Sequence, residues 1–235
     1  MKFLLISTGV SLWLAAATFG QSFEVTSVKP NKSGSNDSST NTTNGSITAE
    51  NVSLRQLIFR AYGVSGYSLS GPAWLGDDKF DISAKQPGGA SRDQMQAMLR
   101  SLLAERFGLV AHFEQKSLSG YALVPGKKPP TLHDKPPNAG VNTHSGGGRL
   151  NATNVSMADL AGLLARQLDQ PVQDQTGLAG VTDVTLEWSL DGQAGERPSS
   201  ILTAIQEQLG LKLEARKITV DVLVIDHVER VPTEN

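Results

Sequence analysis

The sequence contains no cysteine, only 6% aromatic residues and almost no net charge. The missing cysteines exclude a disulfide framework and any thiolate metal site, so packing and hydrogen bonds must hold the fold. A net charge of −2 at pH 7 excludes the basic surface by which proteins attract nucleic acid. What remains is 235 residues, 39% hydrophobic and 19% charged, a composition typical of one large folded domain or two small ones.

The first 20 residues have the pattern of an export signal. Lys2 precedes an uncharged apolar stretch at residues 3–19, and small residues lie at 15–17 and at Gly20. A charged start, an apolar core and small residues at the cleavage point are typical of a secretory signal. We therefore predict a signal peptide at residues 1–20, cleaved near Gly20, and a periplasmic or secreted protein. A retained membrane anchor is the alternative, because the stretch approaches the length that spans a bilayer.

Two polar segments divide the rest of the chain. Residues 30–46 are nearly all Ser, Asn, Thr, Gly and Lys, and residues 125–149 are rich in Pro and Gly. Neither buries enough apolar surface to offset the entropy lost on ordering. The sequence thus predicts a first unit at 21–124 with a flexible loop at 30–46, a linker at 125–149, a second unit at 150–230 and a tail at 231–235.

The two predicted units repeat the same helix signals. The motif Asn-Val-Ser at residues 51–53 recurs at 154–156. Each serine can cap a helix, with Gln or Asp three residues later, and apolar residues follow at helical spacing. A second helix is predicted at 91–108 and again at 198–210, each ending at a glycine that suits a left-handed helix end.

Each predicted unit closes with two short strands. These are expected at 109–115 and 120–125 in the first unit, and at 211–217 and 221–228 in the second. The sequence therefore predicts an α+β fold of two similar βαββαββ units, an internal duplication, with two helices covering a small mixed sheet in each. An extra strand is predicted at 23–30.

Each unit resembles the small α+β modules of secretin N-domains and the short N-terminal domain of TonB-dependent receptors. A longer resemblance covers nearly all of the chain and points to an uncharacterised family of exported proteins from soil acidobacteria, known by a domain-of-unknown-function label. The motifs that carry it are FEVTSVKPN, ITAENVSLRQLI, SGPAWL, FDISAK, MLRSLLAERFGL, NVSMADLAGLLARQL, TGLAG and VLVIDHVER.

This family resemblance implies export and a common fold, and it brings no catalytic residues. Some members are fused to BlaR-like membrane metallopeptidases, which implies an extracytoplasmic sensing or interaction role. The HExxH motif of such a peptidase does not occur in this sequence. The partner implied is an envelope or membrane protein.

The residue types that carry chemistry form no recognisable motif. His133 and His144 share the predicted linker and could hold copper or zinc, but we expect a solvated pair, and His112 and His227 fall in predicted strands. Asp77, Asp78 and Asp81 could supply oxygen ligands to Ca²⁺. Their spacing is not that of an EF-hand, and aspartate is common in turns. The sequence predicts no catalytic, cofactor-binding or metal-binding residue.

Trp74, which follows a Gly-Pro turn, is the best candidate for a binding residue. An exposed tryptophan there could anchor a peptide or a glycan, with Asp77 and Asp78 beside it, although a role in closing the core is the expected one. We predict a non-enzymatic interaction or sensing module of the cell envelope. The alternatives are a secreted hydrolase with a dispersed site, or a small-ligand or glycan binder that uses the groove between the halves.

Overall fold

The computed structural model of the protein describes residues 22–35, 37–43, 46–85, 90–134, 140–189 and 200–233. The predicted signal segment at 1–20 lies outside the described residues. The described part has four α-helices: α1 Leu54–Tyr62, α2 Arg92–Phe107, α3 Met157–Leu168 and α4 Ile201–Gln208. Its strands are β1 Val25–Pro30, β2 Ser39–Thr43, β3 Ser46–Ser53, β4 Leu69–Ser70, β5 Lys79–Lys85, β6 Val110–Pro125, β7 Asn142–Gly146, β8 Arg149–Val155, β9 Val172–Asp174, β10 Thr182–Glu187 and β11 Leu211–His227.

The helices begin where the capping signals predict. The side chains of Ser53, Ser91 and Ser156 each accept a hydrogen bond from the backbone N–H three residues later, and the side-chain oxygen at that later position accepts the backbone N–H of the serine. Helix α2 ends at Gly108 with φ of 57°, a conformation that glycine adopts without a steric cost. Helix α4 begins after Ser200, and residues 198 and 199, where the predicted helix begins, lie outside the described residues.

Three sheets support two hydrophobic cores. The first unit has the antiparallel order β1-β5-β3-β2, the second has β10-β8-β7, and a third sheet has the order β4-β11-β6-β9. One core lies beneath α1 and α2, and the other lies beneath α3 and α4. The α+β class is thereby confirmed.

Part of the segment at 30–46, which was predicted to be a flexible loop, is a strand in the structure. Residues Ser39–Thr43 form β2, which pairs in antiparallel register with β3. The prediction weighed only the apolar surface that these residues could bury. The backbone of β2 is instead held by hydrogen bonds to a strand whose own side chains supply the buried contacts, and its threonines favour extended structure.

The closing strands also differ from the prediction of two short strands in each unit. Strands β6 and β11 run without a turn and pair with each other along their whole length, with Ser117 opposite Thr219 at the centre. Residues 116–119, which separate the two predicted strands, continue β6, and Gly120 lies within it because a Cβ there would collide with the carbonyl oxygen of Pro171. The pair of strands is called the ribbon below.

The ribbon joins the two units by exchanging strands between them. Ala111, near the start of β6, contacts the first core, and Leu123, near its end, lies in the second. Strand β11 runs the opposite way, from Leu211 in the second core to Leu223 in the first. Each core is therefore completed by both strands.

The two units correspond element by element around the ribbon. Strand β4 pairs in parallel with β11 at Leu223, as β9 pairs in parallel with β6 at Tyr121. This correspondence is compatible with the predicted internal duplication. No helix among the described residues has the length and apolar character needed to cross a membrane.

Candidate functional site

The three predicted binding residues lie together beside the chain's C-terminal segment. Trp74 is half-buried in the 3₁₀ turn Ala73–Gly76 and packs against the first core. The Arg230 guanidinium lies 5.7 Å from the centre of its ring and donates hydrogen bonds of 2.5 Å and 3.3 Å to Asp78. This bonding lowers the pKa of the Asp78 carboxyl. Asp77 is exposed beside them, but Arg230 lies over the ring that a peptide or glycan would stack on.

Asp81 holds a bulge in the first sheet. Its Oδ1 accepts the backbone N–H of Asn51 at 2.9 Å and the side-chain amide of Asn31 at 2.8 Å. Asn51 adopts φ of 55°, which asparagine tolerates better than most residues. The described residues contain no group of three His, Cys, Asp or Glu side chains placed to hold a metal ion.

The two histidines of the predicted linker lie apart in the structure, whereas His112 and His227 lie at the same end of the ribbon. His133 forms a backbone bridge with Val181 beside β10, whereas His144 lies on β7 at the opposite edge of the same sheet. The ring nitrogens of His112 form hydrogen bonds with the carboxylates of Asp226 at 2.7 Å and Glu114 at 3.0 Å, and these contacts raise the pKa of His112. His227 pairs with Glu229, and all these groups are exposed.

The ribbon presents strand edges that the other described strands cover only in part. Strand β9 pairs with β6 only at Tyr121–Leu123, and β4 pairs with β11 only at Leu223 and Val224. Among the described residues, no strand lies beyond the remaining outer edge of β11. An uncovered edge offers a row of backbone donors and acceptors to another extended chain.

The register shows which residues of β11 turn their backbone outward. Tyr121 donates its backbone N–H to Pro171, away from β11, so the Tyr121–Ala215 pair exchanges no bonds across the ribbon. Ala215 must then direct its own N–H and C=O away from β6. By the alternation of an antiparallel ladder, Leu213 and Lys217 do the same.

A groove of about 360 Å³ lies between this edge and α4. Leu202, which lines the groove, is 40% exposed although it is a large hydrophobic residue. Two charged residues, Glu207 and Lys212, also line the groove, and Lys212 pairs with Glu214 at 3.3 Å. The remaining lining residues are Tyr121, Thr203, Gln206, Leu213 and Ala215. A strand edge flanked by a helix can bind an extended peptide, whose side chains enter the groove.

Sequence reasoning did not identify this groove. Leu202 fits the apolar spacing of α4, which predicts a place on the core face of the helix, because periodicity cannot show where the neighbouring element ends. The available signal for an uncovered edge is the alternation of charged residues in β11, at Lys212, Glu214 and Arg216. Charges at alternate positions of a strand mark a solvated face and are common on uncovered edges.

Comparison with known proteins gives a match at the level of a family. A family model described as a protein of unknown function, DUF3738, matches residues 55–228. No curated protein matches the chain, and no solved structure does.

Proposed function

We propose that this chain, which belongs to the DUF3738 family of proteins of unknown function, is an exported interaction module that binds an extended segment of an envelope protein. The family match confirms the predicted resemblance to an uncharacterised family. The soil-bacterial source and the metallopeptidase fusions stay predictions. Export is supported by the signal-like pattern of residues 1–20.

The observation that carries the proposal is the outer edge of β11 beside α4. Ala215 directs its backbone N–H and C=O to this edge, as derived from the register with Tyr121. A bound strand would pair with Leu213, Ala215 and Lys217, and the backbone hydrogen bonds would hold any extended sequence. Affinity from the backbone alone is not selective, so selectivity must come from side-chain pockets.

The groove between α4 and β11 supplies such a pocket. Leu202 and Tyr121 would contact an apolar side chain of the bound strand, since alternate side chains of a strand point to the same face. Lys212 and Glu207, which also line the groove, would favour polar neighbours of either charge. The partner segment is therefore expected to alternate apolar and polar residues.

Photocrosslinking from the groove tests the proposal. A photoreactive residue replaces Gln206 in the protein without residues 1–20, and the same residue replaces Gln167, which is exposed on α3, as the control position. Crosslinks from position 206 in envelope fractions should map by mass spectrometry to one extended segment of one protein. Equal crosslinking from position 167 would contradict the proposal.

A proline pair tests whether the bound segment adds as a strand. Ala215→Pro removes a donor that faces the edge and leaves the ladder to β6 intact, whereas Gln115→Pro makes the matched change on β6. A synthetic peptide of the crosslinked segment should slow hydrogen exchange at the Ala215 and Lys217 amides. Ala215→Pro should abolish binding and Gln115→Pro should preserve it. Binding that survives Ala215→Pro would exclude strand addition at this edge.

A further inference from the structure

A second cleft, distinct from the groove at the ribbon edge, lies along α1. Its volume is about 890 Å³, and it lies between β2, α1 and the start of α2, with one contribution from α3. The floor is apolar and comes from buried side chains, namely Val52, Leu57, Met95 and Leu99. Hydroxyl groups line the side formed by β2 and its approach, namely Ser38, Thr40 and Thr42.

All of the charged residues that line this cleft are arginines. Arg60 comes from α1, Arg92 from α2 and Arg166 from α3, and no Asp or Glu is among the lining residues. Within the part of the chain that the structure describes, none of the three guanidinium groups forms an ion pair with a carboxylate. The chain as a whole carries a net charge of −2, so this concentration of positive charge opposes the average of the molecule.

The combination of three cations with an apolar floor determines the chemistry of a ligand. A purely apolar ligand would leave the arginines without a partner, and a small inorganic anion would leave the floor in contact with water. Guanidinium groups bind carboxylate, sulfonate and phosphate oxygens with paired N–H donors, and each such bond is stronger than one between neutral groups. We propose that the cleft binds a monomeric amphipathic organic anion, with its acidic group on Arg60 and Arg166 and its apolar part over Leu57 and Met95.

The cleft is independent of the proposed strand-addition groove. It is formed mainly by the first unit, whereas the groove is formed by α4 and β11, and the two share no lining residue. Failure of one proposal therefore leaves the other untouched. Arg166 makes the cleft depend on both units, since it is the residue that α3 of the second unit contributes.

Two naphthalene probes that differ in one charged group test the proposal. The probes are 1-anilinonaphthalene-8-sulfonate, which is an anion, and N-phenyl-1-naphthylamine, which is its neutral analogue. The folded protein should bind the sulfonate in a one-to-one complex at least about tenfold more tightly than the amine, as expected when a charge-assisted hydrogen bond is gained. Equal affinity for the two probes would overturn the proposal.

Matched arginine variants locate the binding. The double variant Arg60→Gln and Arg166→Gln should weaken sulfonate binding by about tenfold or more, and the corresponding lysine variant should restore part of it. Arg216→Gln removes an arginine from the ribbon outside the cleft and should change the affinity less than twofold. An equal loss in Arg216→Gln would indicate a general charge effect and overturn the proposal.

Two further measurements keep the result interpretable. Circular dichroism should give the same unfolding midpoint for the parent protein and for the variants of Arg60 and Arg166, because neither residue makes a side-chain hydrogen bond within the described residues. Decanoate should displace the sulfonate probe, as a monomeric carboxylate of the same class. Binding to phosphatidylglycerol vesicles without displacement by decanoate would assign the arginines to a lipid surface instead and contradict the proposed monomeric ligand.

Discussion

The two units share one plan but finish their sheets differently. In the first unit β1 covers the outer edge of β5, and Glu24 donates its backbone N–H to the carbonyl of Lys85. In the second unit no strand within the described residues covers β10. The Gln208 side chain instead donates to the Glu187 carbonyl at 2.8 Å and accepts its N–H at 3.0 Å. A side-chain amide thus takes the place of a peptide group at one end of the uncovered strand.

The same contrast appears at the bulge that both units carry. Asn51 and Asn154 have φ of 55° and 56°, and each donates its backbone N–H at 2.9 Å to an aspartate of the neighbouring strand. Only Asn51 is buried, with its side-chain amide donating to the carbonyls of Ser35 and Asp37 at 2.7 Å. The first unit therefore uses its bulge to hold an additional segment, which helps to close its sheet.

The largest expected effect comes from the ribbon, which makes the two units depend on each other. Leu123→Ala and Leu223→Ala each remove a fully buried side chain and should cost about 2–5 kcal/mol. Trp74 reports on the first core and Trp188 on the second. Two variants are compared, one that keeps only Trp74 of this pair and one that keeps only Trp188. Because each core contains both ribbon strands, the two variants should give the same midpoint of urea unfolding.

The matched control for this prediction is Leu202→Ala, which removes an exposed leucine and should change the free energy of unfolding by less than about 0.5 kcal/mol. If Leu223→Ala lowered only the midpoint seen by Trp74, the units would unfold separately. The exchanged strands would then not couple the two cores.

A smaller effect should distinguish the two bulges. Asn51→Gly keeps a residue that adopts the left-handed conformation but loses two hydrogen bonds to backbone carbonyls, at a cost of about 2 kcal/mol. Asn154→Gly removes no comparable bond and should stay within about 0.5 kcal/mol of the parent protein. Urea unfolding measures both changes. Equal losses would show that the bulge conformation, and not the additional segment, determines the role of Asn51.

Local signals in the sequence were sufficient for the helices and for the class of fold. Ser53 with Gln56 and Ser91 with Gln94 identify helix starts because a capping box is satisfied entirely by residues a few positions apart. The alternation of Phe80, Ile82 and Ala84 likewise identifies β5. These features depend on neighbours along the chain, and the sequence contains those neighbours.

The strand exchange and both candidate sites depend on contacts between distant residues. The apolar pattern of β6 is the same whether the strand turns back between residues 115 and 120 or continues, and only the approach of Pro171 shows why glycine lies at position 120. Trp74 was identified by its turn, but its partner Arg230 comes from the far end of the chain. Arg60, Arg92 and Arg166 lie on three helices, so no motif could have joined them.

The smallest effect should separate the two ends of the ribbon by their response to pH. His112 at one end bonds to Asp226 and Glu114, whereas Glu214 at the other bonds to Lys212 and Arg216. The hydrogen bond to Asp226, followed by that to Glu114, raises the pKa of His112. The bonds from Arg216 and Lys212 lower the pKa of Glu214.

The signs of these shifts place the two losses of stability at opposite ends of the pH range. The contribution of His112 is complete below its ordinary value of 6.5 and is lost as the pH rises through its raised pKa. That of Glu214 is complete above its ordinary value of 4.5 and is lost as the pH falls through its lowered pKa. Thermal midpoints should therefore fall slightly above pH 6.5 in the parent protein and in His144→Gln, but not in His112→Gln. If His112→Gln kept that alkaline decrease, its source would be a group other than His112, and the bonds of His112 would not distinguish the two ends of the ribbon in stability.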